Sequence, residues 1–441
     1  MRSHQPTPAD REQGNTPAKP GLLRVVGSGV VTGAADDDPS AIGTYASAGA
    51  QYGLAFLWIA PVLLPMMYVV VYLSAKIGLV YGKGLFAAIR DRYPRWVLVP
   101  TMLLAVAGNI IEAAANLGGI GASLNLLVPV PILLLVVASA AAIFALQWYG
   151  SYDLLRTVFR WLALALFAYV GAAVLARPDP MQVLRGTFVP QLHFDAQFLA
   201  MVIACIGTSL SAYIFTWQSN QEVEEQRAEG LTRAWQRRGA SARELARTRR
   251  EVVTGMVFSN VILYFILLST GATLHGPGAS GIESAAQAAA ALEPLAGAAA
   301  QYLFALGVVG VGFLAVPVMT IGAAYDLAQG LGKKNSLLAQ PHEAKFFYAT
   351  IAVVTVVAVL LNFLGFNPMR VLVWSGIVQG FSVPPLLLLM MLMTNDRQVV
   401  GARLNGRLTN TLGWITVAAT FLATTGLVVI LLLRWLRTAA A

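Results

Sequence analysis

Residues 32–53 read TGAADDDPSAIGTYASAGAQYG, and this stretch decides the fold. Three consecutive aspartates, Asp36, Asp37 and Asp38, interrupt an apolar run that continues on both sides, through 25–35 and 41–56. Each charge would cost about 2.5–3.5 kcal/mol at the centre of a bilayer on insertion scales, so such residues persist where they face a cavity or an ion. Pro39 follows at once. It lacks a backbone donor and clashes with the preceding turn, so a helix must stop there. A stopped helix leaves carbonyls on one half and amides on the other, and those groups need partners other than lipid. Gly33, Gly43 and Gly49 add backbone freedom around the stop. Asp before Pro also starts ordinary helices, so a simple cap at the membrane surface is the plain alternative. The apolar flanks argue against it.

The surroundings are those of a membrane protein. Of 441 residues, 57% are hydrophobic and 12% charged, half the charge of an ordinary soluble domain. Apolar runs predict eleven spans near 23–50, 55–80, 97–120, 129–148, 155–176, 197–221, 251–274, 299–324, 346–365, 369–394 and 411–435. The opening 1–21 is polar and Pro-rich, without a signal-peptide core, and reads as a disordered cytoplasmic tail. Placing the N-terminus inside puts 25 of the 30 Lys and Arg on the inner side. That asymmetry predicts a multi-pass cell (inner) membrane protein with a cytoplasmic N-terminus and an extracytoplasmic C-terminus. It also accounts for the net charge of +9 without nucleic acid. The stretch 222–250 mixes eight arginines with five glutamates and is expected to extend span six as a solvated, salt-bridged helix, with membrane lipid headgroups as further partners.

A second interruption lies five spans on, at Gly207-Thr208-Ser209-Leu210-Ser211-Ala212-Tyr213. It carries neither charge nor proline, and Ser and Thr often bond back to their own helix without breaking it. Paired with the first, it matters more. Broken helices at matching places in two halves point to an inverted-repeat transporter with its site where spans one and six meet. The expected layout is a first repeat over 22–176, an extracellular loop over 177–196, a second repeat over 197–394, and a loop with one extra helix over 395–441. Cys205 is the single cysteine, and the four histidines show no ligand spacing, so neither a thiolate cluster nor a histidine-based enzyme site is expected.

The motifs resemble one family. Gly27-Ser28-Gly29, then Asp38-Pro39-Ser40-Ala41, then Gly49-Ala50-Gln51-Tyr52-Gly53 are similar to the first helix of Nramp divalent-metal transporters, roughly GPG…DPGN…GAQYG, whose Asp and Asn bind metal. Leu124-Asn125-Leu126-Leu127, Asn260, and Ser375 with Pro384 extend the resemblance over most of the chain. It implies an all-α LeuT-like fold, five plus five inverted repeats and one extra helix, moving divalent cations without a cofactor.

The departures are specific. Ala41 stands where the family has Asn. Thr208, Ser211, Ala212 and Tyr213 stand where it has an Ala-x-x-Met-Pro-His run, so the sulfur and the histidine linked to proton movement are absent from that position. The acidic pair of helix three falls at Ala113 and Asn116, with Glu112 nearby, and the helix-ten glutamine falls at Gly376, with Gln379 a turn away. These changes resemble the Nramp-related magnesium transporter branch. An all-oxygen site suits hard cations, and magnesium keeps several of its waters. The expected metal set is Asp38, then Asp37, Thr208, Ser211 and Gln379. Asp36 is expected to cap or line the vestibule, and Glu112 to be a relay or, more simply, a paired structural acid. Magnesium is the expected substrate, with manganese also accepted and little proton coupling. The alternatives are a proton-coupled Mn2+/Fe2+ importer of the ordinary Nramp type and a sodium-coupled amino-acid symporter of the same fold.

Overall fold

A computed structural model describes residues 32–33, 35–149, 164–276 and 281–439. The expected tail, the approach to the first break at 23–31 and 34, and the start of span five at 155–163 lie outside the described residues. Every regular element among the described residues is helical. In chain order they are α1 (Pro39–Tyr52), α2 (Ile59–Lys76), α3 (Leu85–Arg92), α4 (Arg95–Asn125), α5 (Ile132–Tyr149), α6 (Ala168–Leu175), α7 (Pro180–Phe188), α8 (Ala196–Ser209) and α9 (Ala212–Ala228). The second half continues with α10 (Ala242–Thr273), α11 (Ala285–Ala290), α12 (Glu293–Ala296), α13 (Ala300–Gly330), α14 (Lys345–Asn362), α15 (Pro368–Thr394), α16 (Arg397–Val400) and α17 (Arg407–Ala439). Among the described residues, eight helices are long and apolar enough to cross a membrane. The outer faces of α14 and α17 expose Val353, Val356, Ile415 and Leu422, residues that water would disfavour and lipid tails accept. The chain is a multi-pass membrane protein.

Both interruptions are present. The first helix stops before Asp38, whose extended backbone (ψ 170°) makes it the N-cap of α1, with Pro39 in the first helical position where its missing N–H costs nothing. The second stops at Ser209; Leu210 and Ser211 leave helical geometry and α9 restarts at Ala212. The charged stretch after span six departs from expectation. α9 ends at Ala228, and a loop with left-handed glycines at Gly230 (φ 90°) and Gly239 (φ 88°) separates it from α10. Its acids are not all solvated either: Glu222 and Glu224 are buried. The salt-bridged character survives in Arg227–Glu224 (2.6 Å) and Arg247–Glu251 (2.7 Å).

α4 packs against α13 and α15, α8 against α15, and α1 against α10 and α15, which brings both breaks to the middle of the bundle. The α8–α15 crossing depends on small residues. A Cβ on Gly207 would overlap the Gly376 carbonyl and the Gly380 amide, the close approach that small-xxx-small pairs permit between membrane helices. Because the obstacle is backbone, it cannot swing aside. Gly207→Val is therefore expected to reach the top of the about 1–3 kcal/mol range for overpacking or to exceed it. Thermal unfolding of the detergent-purified variant checks this, against an unchanged midpoint for Gly406→Ala, where nothing stands within 4 Å.

Candidate metal site at the two helix breaks

Asp38 anchors the first cluster. Its Oδ1 accepts from the Ala41 amide (2.6 Å), which answers one of the donors freed at the start of α1. Its Oδ2 accepts from Asn116 Nδ2 (2.9 Å) and the Tyr213 hydroxyl (3.3 Å). Asn116 spans the break, since its Oδ1 accepts from the Ser40 amide (2.8 Å). Tyr213, from the other broken helix, shares its one hydroxyl proton between that carboxylate and the Ala35 carbonyl (3.0 Å), one of the acceptors left by the stopped helix. Ser40 Oγ lies 3.0 Å from Ser375 Oγ and 3.4 Å from Thr208 Oγ1. Asp38 is thus both a cap and a buried carboxylate facing spans three and six.

Asp36 and Asp37 turn the other way. Both contact Ser259 Oγ on α10, at 2.7 and 2.8 Å. A hydroxyl has one proton, so it satisfies only one of the two carboxylates at a time. Asp36 Oδ1 and Asp37 Oδ2 have no hydrogen-bond partner among the described residues.

Glu112 organises the second break. Its oxygens accept from Ser211 Oγ (3.1 Å) and Gln379 Nε2 (2.5 Å). Ser211 Oγ also contacts the Gly207 and Thr208 carbonyls (2.7 and 3.2 Å), and Gln379 Oε1 accepts from the Ala212 amide (3.3 Å). The orphaned backbone groups of the break are therefore answered by the very residues expected to hold metal. Thr208 joins the Asp38 cluster through Ser40, whereas Ser211 and Gln379 join Glu112 and Asp37 joins Asp36. Asp36, Asp38, Glu112, Thr208, Ser211 and Gln379 are wholly buried, and no ion pair among the described residues involves any of these acids.

Among the described residues no group of three or more His, Cys, Asp or Glu converges as metal ligands. A cation at Asp38 would draw its remaining donors from hydroxyls, amide oxygens, freed carbonyls and its own waters. The sequence reading passed over Tyr213, Ser40 and Ser259 as contacts, and took Asn116 as a lost acid and a possible neighbour of Glu112, not as a partner of Asp38. A sulfur also stands near: Met319 Sδ lies 3.1 Å from Asn116 Nδ2. His193 packs edge-on against Phe198 and His275 contacts the Ala50 carbonyl, so neither enters the buried clusters. Beyond the C-terminal half of α1, a cavity of about 310 Å³ opens against α8 and α15, lined by Ser47, Gln51, Met201 and Arg370.

Two discontinuous helices meeting at buried acids inside an all-helical membrane bundle define a carrier of the LeuT-like fold. The chain belongs to the Nramp family, described as natural resistance-associated macrophage protein-like, which it matches over residues 29–431. It is 27% identical over 404 residues to the divalent metal cation transporter MntH of Klebsiella pneumoniae (strain 342), covering 90% of this chain and 91% of that one. It is 28% identical over 413 residues to MntH of Deinococcus radiodurans, covering 92% and 89%. The crystal structure of the Eremococcus coleocola manganese transporter superposes with a TM-score of 0.70 at 16% identity, over 94% of this chain and 88% of that one. Mhp1, a nucleobase-cation-symport-1 family transporter, gives 0.53 at 15% identity, over 91% and 93%. These two establish the fold alone.

Proposed function

We propose that this Nramp-family divalent metal cation transporter carries Mg2+ as its main substrate, with Mn2+ also accepted and little or no proton coupling, by alternating access at the two helix breaks. The observation that carries the reading is the donor set at Asp38. Its carboxylate meets two amides and a phenol, with Ser40, Thr208 and Ser375 hydroxyls alongside, and among the described residues its side-chain hydrogen bonds come from nitrogen and oxygen donors and none from an imidazole. Carboxylate, hydroxyl and carbonyl donors suit a hard cation that retains part of its hydration shell. The cavity beside α1, α8 and α15 is the outer approach, with the basic loops on the cytoplasmic side. Asp38 is the direct ligand, Asp37 acts through water or by its charge, and Thr208 adds a hydroxyl or carbonyl. Ser211 and Gln379 act by holding the second break open. A membrane potential favours inward movement of a divalent cation by about 4.6 kcal/mol per 100 mV, so downhill uptake needs no proton.

Proteoliposomes holding the purified protein test this, with Mg2+ and Mn2+ supplied separately and an interior pH dye. Mg2+ flux without acidification is expected. Mn2+ flux with stoichiometric acidification and no Mg2+ flux would return the chain to proton-coupled Mn2+/Fe2+ import. Met319 gives that second reading its one specific support, because a thioether favours softer metals. Its sulfur, however, accepts from the Asn116 amide (3.1 Å). Met319→Leu, close in volume, is expected to leave the ratio of Mg2+ to Mn2+ flux within about twofold. A tenfold fall in Mn2+ flux alone would make the sulfur a ligand and overturn the hard-cation reading.

A further inference from the structure

One buried acid takes no part in either break. Asp326 lies on α13, wholly buried, four residues before the helix ends at Gly330. Its Oδ2 accepts from Asn109 Nδ2 (3.2 Å), and its Oδ1 has no hydrogen-bond partner among the described residues. Thr216 is its other polar neighbour, but that hydroxyl donates to the Tyr213 carbonyl (3.2 Å). No ion pair among the described residues reaches it. An asparagine would make the same bond to Asn109 without a charge to bury, so clamping α4 to α13 does not explain a carboxylate here.

Its position suggests what does. Asn109 lies one turn from Glu112 on α4, toward Arg95, and its Oδ1 accepts from Gln379 Nε2 (3.3 Å). Polar groups therefore run without interruption from Ser211 and Glu112, through Gln379 and Asn109, to Asp326. Along both α4 and α13 the path heads toward the basic loops, with Lys333 and Lys334 just past the end of α13. A Cβ built on Gly322, one turn before Asp326, would make ordinary contacts with Thr216 Oγ1 and Asn109 Nδ2 at 3.6 and 3.7 Å, so the glycine keeps this face of α13 clear beside the two polar side chains.

We propose that Asp326, with the hydroxyl of Thr216 and waters the cation keeps, is a second divalent-cation site on the basic-loop side, which the cation occupies after leaving Asp38. Carboxylate, hydroxyl and water are all oxygen donors, the set a hard cation takes. The site rests on the metal-transport reading above, and its test separates the two.

Transport is measured in proteoliposomes with Mn2+ applied to one face at a time. Asp326→Asn is expected to raise the KM for Mn2+ applied from the basic-loop face at least tenfold and to change the KM from the opposite face less than twofold. Equal changes from both faces, or none, would overturn the proposal. A measurement on the unmodified protein guards against a variant that fails to fold. Anomalous diffraction from crystals soaked in Mn2+ is expected to show a peak within coordinating distance of the Asp326 carboxylate, as well as one at Asp38. A peak at Asp38 alone would overturn the second site and leave the first intact. Peaks at neither would remove both.

Discussion

Asp38→Asn is expected to abolish Mg2+ and Mn2+ uptake, by at least about 100-fold, in a protein that still folds and elutes normally. Asparagine separates the residue's two duties. As an N-cap it is as good as aspartate, so the bond to the Ala41 amide and the start of α1 survive. The charge does not survive. Removing one member of a buried ionic contact costs about 3–5 kcal/mol, and each 1.4 kcal/mol is a factor of ten, so a loss of two decades is the modest end. Asp38→Ala should abolish flux equally and also unfold at lower temperature, since loss of a cap costs about 1 kcal/mol. Uptake by Asp38→Asn within tenfold of the natural protein would mean that the residue is only a cap. Asp37→Asn is expected to fall between the two, because Asp37 faces Ser259 on α10 and not the Asn116–Tyr213 side.

How much of this could be read from the chain depends on whether the signal was local. The first break was legible because both of its causes are local: Pro39 stops a helix wherever it stands, and charge in an apolar run costs energy whatever packs around it. The second was legible mainly by its spacing from the first. Its mechanics were not, because Ser211 and Gln379 are turned to Glu112 by tertiary packing that no spacing encodes. The stretch after span six misled for a related reason. Its alternating charges suit a solvated helix, but Gly230 and Gly239 take left-handed conformations that end one, and the fold buries Glu222 and Glu224 against neighbouring helices. Asp326 escaped notice by two residues. The apolar run was closed at 324, so the acid fell in an expected loop, whereas α13 carries it inside the bundle before ending at Gly330.

Glu112 is where that tertiary packing yields the second large effect. Glu112→Ala is expected to lower uptake at least tenfold at every pH tested, acting on maximal rate more than on KM. Its carboxylate receives the Ser211 hydroxyl and the Gln379 amide, and each of those also serves an orphaned backbone group of the second break. Deleting the acid removes two charge-assisted bonds, at about 1.5–3 kcal/mol each, and leaves Ser211 Oγ to the Gly207 carbonyl (2.7 Å) and Gln379 Nε2 to the Asn109 oxygen (3.3 Å). The break then re-forms its bonds locally, and the half-helices lose the fixed separation that rocking between two states requires. Glu112→Gln should retain more activity, since its amide oxygen can still accept from one of the two. A proton relay would behave differently. Uptake by the natural protein would then acidify the vesicle interior in proportion to metal moved, and Glu112→Gln would keep metal flux while abolishing that acidification. The geometry favours the first outcome, because both carboxylate oxygens are already engaged in holding the helices that the transport cycle must move.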